Sequence, residues 1–86
     1  MTLKNTDHDD IVLMCTDSEK QIAKLEWFYQ YRRPEDPNAS HELKNLLQRM
    51  KDMHATLEQI YQEATGKRFE SKMDDYRTTL RKKLSN

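Results

Sequence analysis

Glycine occurs once in this chain, proline twice and cysteine once. No wholly apolar run is longer than Ile11-Val12-Leu13-Met14-Cys15. Each scarcity excludes something. So few glycines and prolines leave little material for the tight turns of a β-rich fold. A single cysteine cannot form an internal disulfide, which fits a reducing, cytoplasmic setting. A run of five falls far short of the roughly 18 apolar residues that a membrane span requires. The N-terminus has no charged segment, apolar core and small-residue cleavage site in succession, so a secreted protein is not expected. At 86 residues the chain has room for one domain and none for a large interdomain cleft. The expected class is all-α.

What is abundant is charge, at 35% of residues, equal to the hydrophobic share. Two breaks divide the chain. The first is Arg32-Arg33-Pro34-Glu35-Asp36-Pro37-Asn38. Each proline biases its predecessor away from the α region, so a helix should end near Arg33. Asp36 before Pro37 then reads as an N-cap followed by proline at the first helical position. The second is Thr65-Gly66, where the glycine can supply a left-handed C-cap.

Three segments with helical spacing flank these breaks. In the first, Ile11, Cys15, Ser18, Ile22, Leu25, Tyr29 and Arg32 follow steps of four and three, widened by Met14 and Phe28. Residues 11–15 could instead form a short strand, with the helix starting at the capping box Thr16-Asp17-Ser18-Glu19. No second strand candidate exists to pair with it, so one helix is expected. In the second, Leu43, Leu46, Met50, Met53, Leu57, Ile60 and Ala64 repeat over three heptads. Leu47, His54 and Tyr61 broaden that stripe into one suited to a bundle. In the third, Phe69, Met73, Tyr76, Leu80 and Leu84 repeat the pattern. The expected organisation is a flexible start over residues 1–8 and one helical domain over 9–86, with helices near 9–33, 37–65 and 68–84.

A short connection makes the first two helices an antiparallel hairpin. The third, turning back at Gly66, is expected to lie in the hairpin groove and cover its lower half. Leu25, Tyr29, Leu43, Leu46, Leu47 and Met50, towards the Pro-containing tip, would then stay open as a dimer interface. The expected architecture is a long antiparallel hairpin plus a shorter helix, bundle-like or coiled-coil-like, completed by dimerisation. A foreign protein filling the groove is the alternative.

Chemistry-bearing constellations are sparse. Asp7-His8-Asp9-Asp10 places potential ligands in sequence, but adjacent side chains diverge. His41-Glu42 lacks a second histidine four residues after the first, since position 45 is Asn. Glu58 and Glu63 are not four apart, and neither is read as having a histidine at metal spacing. Cys15 and His54 fall on apolar stripes and read as core residues. One glycine cannot build a phosphate loop. The expectation is no enzyme, no metal and no cofactor.

Net charge is zero, but its distribution is uneven. Residues 1–40 carry five cations and eight acids, a balance of −3. Residues 67–86 carry seven cations and three acids, a balance of +4. Arg77, Arg81, Lys82 and Lys83 could therefore face a nucleic acid, or simply complement the helix C-terminus. The other constellation is Trp27-Phe28-Tyr29-Gln30-Tyr31-Arg32-Arg33. Four aromatics in five helical positions cannot all face one core, and Trp, Tyr and Arg are enriched at binding hot spots. Trp27, Phe28, Tyr31, Arg32 and Arg33 are the candidate partner-binding residues. The stretch Leu57-Glu58-Gln59-Ile60-Tyr61, with Ala64-Thr65-Gly66-Lys67 and Glu70, resembles the C-terminal helix region of the Clp protease proteolytic subunit. An 86-residue chain has no room for that family's catalytic serine domain, and nothing is carried over from it. The functional expectation is a small non-enzymatic adaptor, inhibitor or regulator that binds a macromolecule through the hairpin tip, with nucleic-acid binding as the alternative.

Overall fold

The computed structural model describes residues 5–85, which form three helices: α1 (Asn5–Tyr31), α2 (Pro37–Thr65) and α3 (Met73–Ser85). There is no strand among the described residues, and 11–15 are helical. α1 begins at Asn5, so residues 5–8 of the expected start are helical. Residues 1–4 of that expected start lie outside the described residues.

The two breaks act through their own chemistry. α1 ends at Tyr31, two residues before the expected Arg33, with a last bond from the Arg32 N–H to the Phe28 carbonyl at 2.8 Å. Pro34 holds Arg33 out of the α region, so the last turn cannot propagate. Asp36 is an extended N-cap (φ −66°, ψ 121°) whose carboxylate accepts the Asn38 N–H at 3.2 Å. Gly66 closes α2 in the left-handed region at φ 72°, ψ 7°, and its N–H reaches the Gln62 carbonyl at 2.8 Å.

α3 starts at Met73, five residues later than the expected 68. The intervening segment is held by both hairpin helices. Phe69 sets its ring edge-on to Tyr61 at 5.5 Å and to His54 at 6.3 Å, both on α2. Glu19 of α1 accepts the Lys72 N–H at 3.2 Å and the Ser71 hydroxyl. Ser71 Oγ in turn accepts the Met73 N–H at 3.3 Å, as a helix cap does.

This non-helical approach changes where α3 lies. Six extended residues reach about 20 Å, so the chain climbs to the middle of α1 before α3 begins. α3 then runs towards the Pro-containing tip. Arg77 meets Glu26, and Leu80 shares a cleft with Ala23 and Trp27. The expectation that it fills the lower half of the hairpin groove is therefore wrong. α3 packs on α1 alone, and α2 and α3 do not touch as helices. The result is a slab of 48 × 30 × 17 Å with α1 in the middle.

A central helix needs two buried faces. The first follows the stripe through Cys15, Ser18 and Ile22, and Ser18 meets His54 of α2 there. The second carries Glu19 and Ala23 and receives α3 and the segment before it. Among the described residues, Cys15, Ile22 and Ala23 are the fully enclosed apolar ones. Burying Ile22 alone contributes about 1.5–3 kcal/mol of hydrophobic stabilisation.

Candidate functional site

Three features stand out from this scaffold: the aromatic tip, an open apolar face and a buried polar centre.

At the tip, the candidate residues divide between two sides. Trp27 is half-buried and lies against Tyr31, with ring centroids 5.8 Å apart. Both line a cleft of about 220 Å³ with Glu26, Gln30, Arg77 and Leu80. Trp27 Nε1 is buried there without a hydrogen-bond partner. Leaving such a donor unsatisfied costs about 1–3 kcal/mol. Phe28 is 48% exposed and leaves the helix on another side. Arg32 and Arg33 are exposed, and Arg33 lies over the Tyr29 ring at 5.2 Å. The Arg33 hydrogen bond, followed by the nearby Arg33 and Lys44 charges, draws the Tyr29 phenol below its ordinary pKa.

The expected dimer residues sit differently from the sequence reading. Leu25, Tyr29, Leu43, Leu47 and Met50 are half-buried, and only Leu46 of that set is exposed, at 40%. The exposed stripe on α2 is Leu46, Met53 and Ile60, seven residues apart. On α1, Met14, Gln21 and Phe28 are also exposed at intervals of seven. Ser18 opposite His54 fixes the antiparallel register. Counting from that pair places Met14, Gln21 and Phe28 within one helical turn of the levels of Ile60, Met53 and Leu46, respectively. At about 100° per residue, both rows emerge on the same side of the hairpin, opposite the side taken by α3. The hairpin thus presents a long, mostly apolar face.

The basic residues of α3 are less available than their count suggests. Glu26 clamps Arg77 with both carboxylate oxygens at 3.0–3.2 Å, and Asp74 lies 3.5 Å away. Arg81 Nε donates to the Arg77 carbonyl at 3.5 Å, while Lys82 and Lys83 are exposed.

The polar centre lies between α1, α2 and the segment before α3. His54 Nδ1 is 2.6 Å from Ser18 Oγ, whose own proton goes to the Cys15 carbonyl at 2.8 Å. Ser18 thus engages Nδ1 and orients the ring. Nε2 then faces two carboxylates, Glu58 at 2.5 Å and Glu19 at 3.7 Å. The reading that Glu58 has no histidine at metal spacing is corrected: His54 and Glu58 are one helical turn apart and paired. Cys15 is fully buried beside this centre. Burial first, then the Glu58 and Glu19 charges, push its thiol above the ordinary range. Such a thiol stays protonated and is a poor nucleophile. Sequence reasoning missed Glu19, which it considered only as part of a capping box in the alternative that starts the helix there. The His54–Glu58 spacing was the signal that could have exposed the centre.

Fold and surfaces together define a three-helix slab built around a central helix. It has one open apolar face, and its buried polar centre lies towards the α3 side. No protein family, curated protein or solved structure matches the chain. Among the described residues, no helix is long and apolar enough to cross a membrane.

Proposed function

We propose that this chain is a non-enzymatic interaction module that works as a two-fold dimer and presents an aromatic tip at each end. The observation that carries this reading is the open face formed by Met14, Phe28, Leu46, Met53 and Ile60. Contiguous apolar surface of this kind marks an interface. The face is self-complementary about an axis through Gln21 and Met53. A second copy turned about that axis sets Met14 against Phe28, Leu46 against Ile60 and Met53 against its own equivalent. The rim supports the same pairing. Exposed Asp10 and Asp17 of one copy come opposite exposed Arg32 and Lys24 of the other. The acidic start and basic end of α1 suit an antiparallel match with itself.

This dimer points its two tips in opposite directions. Each offers Trp27, Tyr31, Arg32 and Arg33, the residue types that dominate binding hot spots. A protein partner with an apolar projection fits the cleft that Trp27 and Tyr31 line. The clamp on Arg77 weighs against the nucleic-acid alternative. Light scattering should give twice the 10.4 kDa chain mass, and Met53→Glu should give a folded monomer. Met53 is half exposed in the single chain, so the substitution does not disturb its core. A wild type that is monomeric at micromolar concentration, or a Met53→Glu variant that stays dimeric, defeats the proposal.

A further inference from the structure

We infer that Glu19, His54 and Glu58 form a binding site for one divalent transition-metal ion of the zinc class. Their ligand atoms all lie within 4.8 Å of one another. The set joins two helices, with Glu19 from α1 and His54 and Glu58 from successive turns of α2.

The inference stands on hydrogen-bond roles as well as proximity. Ser18 has one hydroxyl proton, and the Cys15 carbonyl takes it. Ser18 occupies Nδ1 of His54, leaving Nε2 to meet two carboxylates. A bare Nε2 lone pair would oppose the lone pairs of Glu58 and Glu19 in a largely buried place. Placing a cation at Nε2 removes that conflict. A proton would leave two carboxylate charges against one positive charge, whereas a divalent ion balances both. Buried charge is tolerated only when paired, so charge balance favours the metal.

The surroundings have the form of a metal site's outer shell. A metal-bound histidine ordinarily donates its other ring N–H to an oxygen, which fixes the tautomer and the ring plane. Ser18 Oγ is the oxygen placed at Nδ1 of His54. Glu19, 1% exposed, is oriented by the Ser71 hydroxyl and the Lys72 N–H, each of which uses one acceptor position on a different oxygen. Both oxygens keep a lone pair for a metal. The Glu58 side chain is 37% exposed, so it can rotate out to the roughly 2.0–2.2 Å metal–oxygen distance. An open cleft of about 290 Å³ reaches His54 and Glu58 past Phe69, with Lys51 and Arg68 on its walls. It admits an ion and leaves a coordination position for water. One imidazole with two carboxylates suits Zn²⁺, Fe²⁺ or Mn²⁺ better than a thiolate-preferring ion.

The test uses the untagged full chain and ZnCl₂, with CoCl₂ as the spectroscopic probe. Calorimetry should give one ion per chain. Co²⁺ should develop visible bands on binding, and Zn²⁺ should raise the melting temperature. His54→Gln and Glu58→Gln should each weaken binding at least tenfold and abolish the thermal shift. Circular dichroism checks the fold of both. Glu58→Gln carries the test alone if His54→Gln does not fold, because its partly exposed head leaves the Glu19 contacts in place. Absence of saturable Zn²⁺ binding overturns the site. So does binding that survives Glu58→Gln, which would place the ion at surface histidines such as His41. Dimerisation is measured separately and does not affect the outcome, because the ligands lie away from the open apolar face.

Discussion

Cys15 shows how one side chain can carry a pH signature without carrying chemistry. Its thiol is fully buried and faces the fields of Glu58 and Glu19, so its pKa in the folded chain lies above the unfolded value. A group shifted in this direction favours folding while it is protonated. That stability is fully present below the ordinary thiol pKa and is lost as pH rises through the folded value. Chemical denaturation from neutral into the alkaline range should therefore show a decline that Cys15→Ala lessens. The native thiol should also resist iodoacetamide until the chain unfolds, and rapid alkylation at neutral pH would contradict this. Cys15, Ser18 and Ile22 were legible because steps of three and four place them on one stripe. Glu19 and Ala23 were not. A single hydropathy stripe identifies one buried face, and nothing in a glutamate announces that a later segment will hydrogen-bond to it.

Among the elements, α2 was the most readable. Both of its ends are set by residues whose backbone chemistry is local: Asp36 with Pro37, and Gly66. Gly66→Ala tests the second directly. An added Cβ would meet nothing within 4 Å, so the whole cost is the left-handed backbone at φ 72°. A loss of about 1 kcal/mol is expected, or a fall of roughly 4–8 °C in Tm for a domain this size. An unchanged Tm would show that the terminus does not depend on the cap. α3 was misplaced because its start is decided by non-local partners. Phe69 fits the helical spacing of its segment, but Tyr61 and His54 hold its ring on α2, and Glu19 of α1 takes the donors of Ser71 and Lys72. The open stripe was displaced by one face for a related reason. Leu43, Leu47 and Met50 lie on the side of α2 that carries His54 towards α1, leaving Leu46, Met53 and Ile60 outward.

At the scale of the molecule, the arrangement is a row and not a ring. α1 has two neighbours, whereas α2 and α3 have one each. In a closed three-helix bundle every helix supports the other two, and loss of any one exposes the whole core. Here the two outer helices do not depend on each other. α3 can lift away with its short preceding segment and leave the hairpin contact through Ser18, Ile22 and His54 in place. Peeling away α2 would strip one whole face of α1. Amide exchange should therefore divide the chain into two classes. The α3 amides would open through a partial unfolding of lower free energy, and those in the middle of α1 and α2 only with global unfolding. One uniform protection level across all three helices would show the row to be a single cooperative block. With two classes, α3 is a removable cover, and the chain has two stability thresholds where its size suggests one.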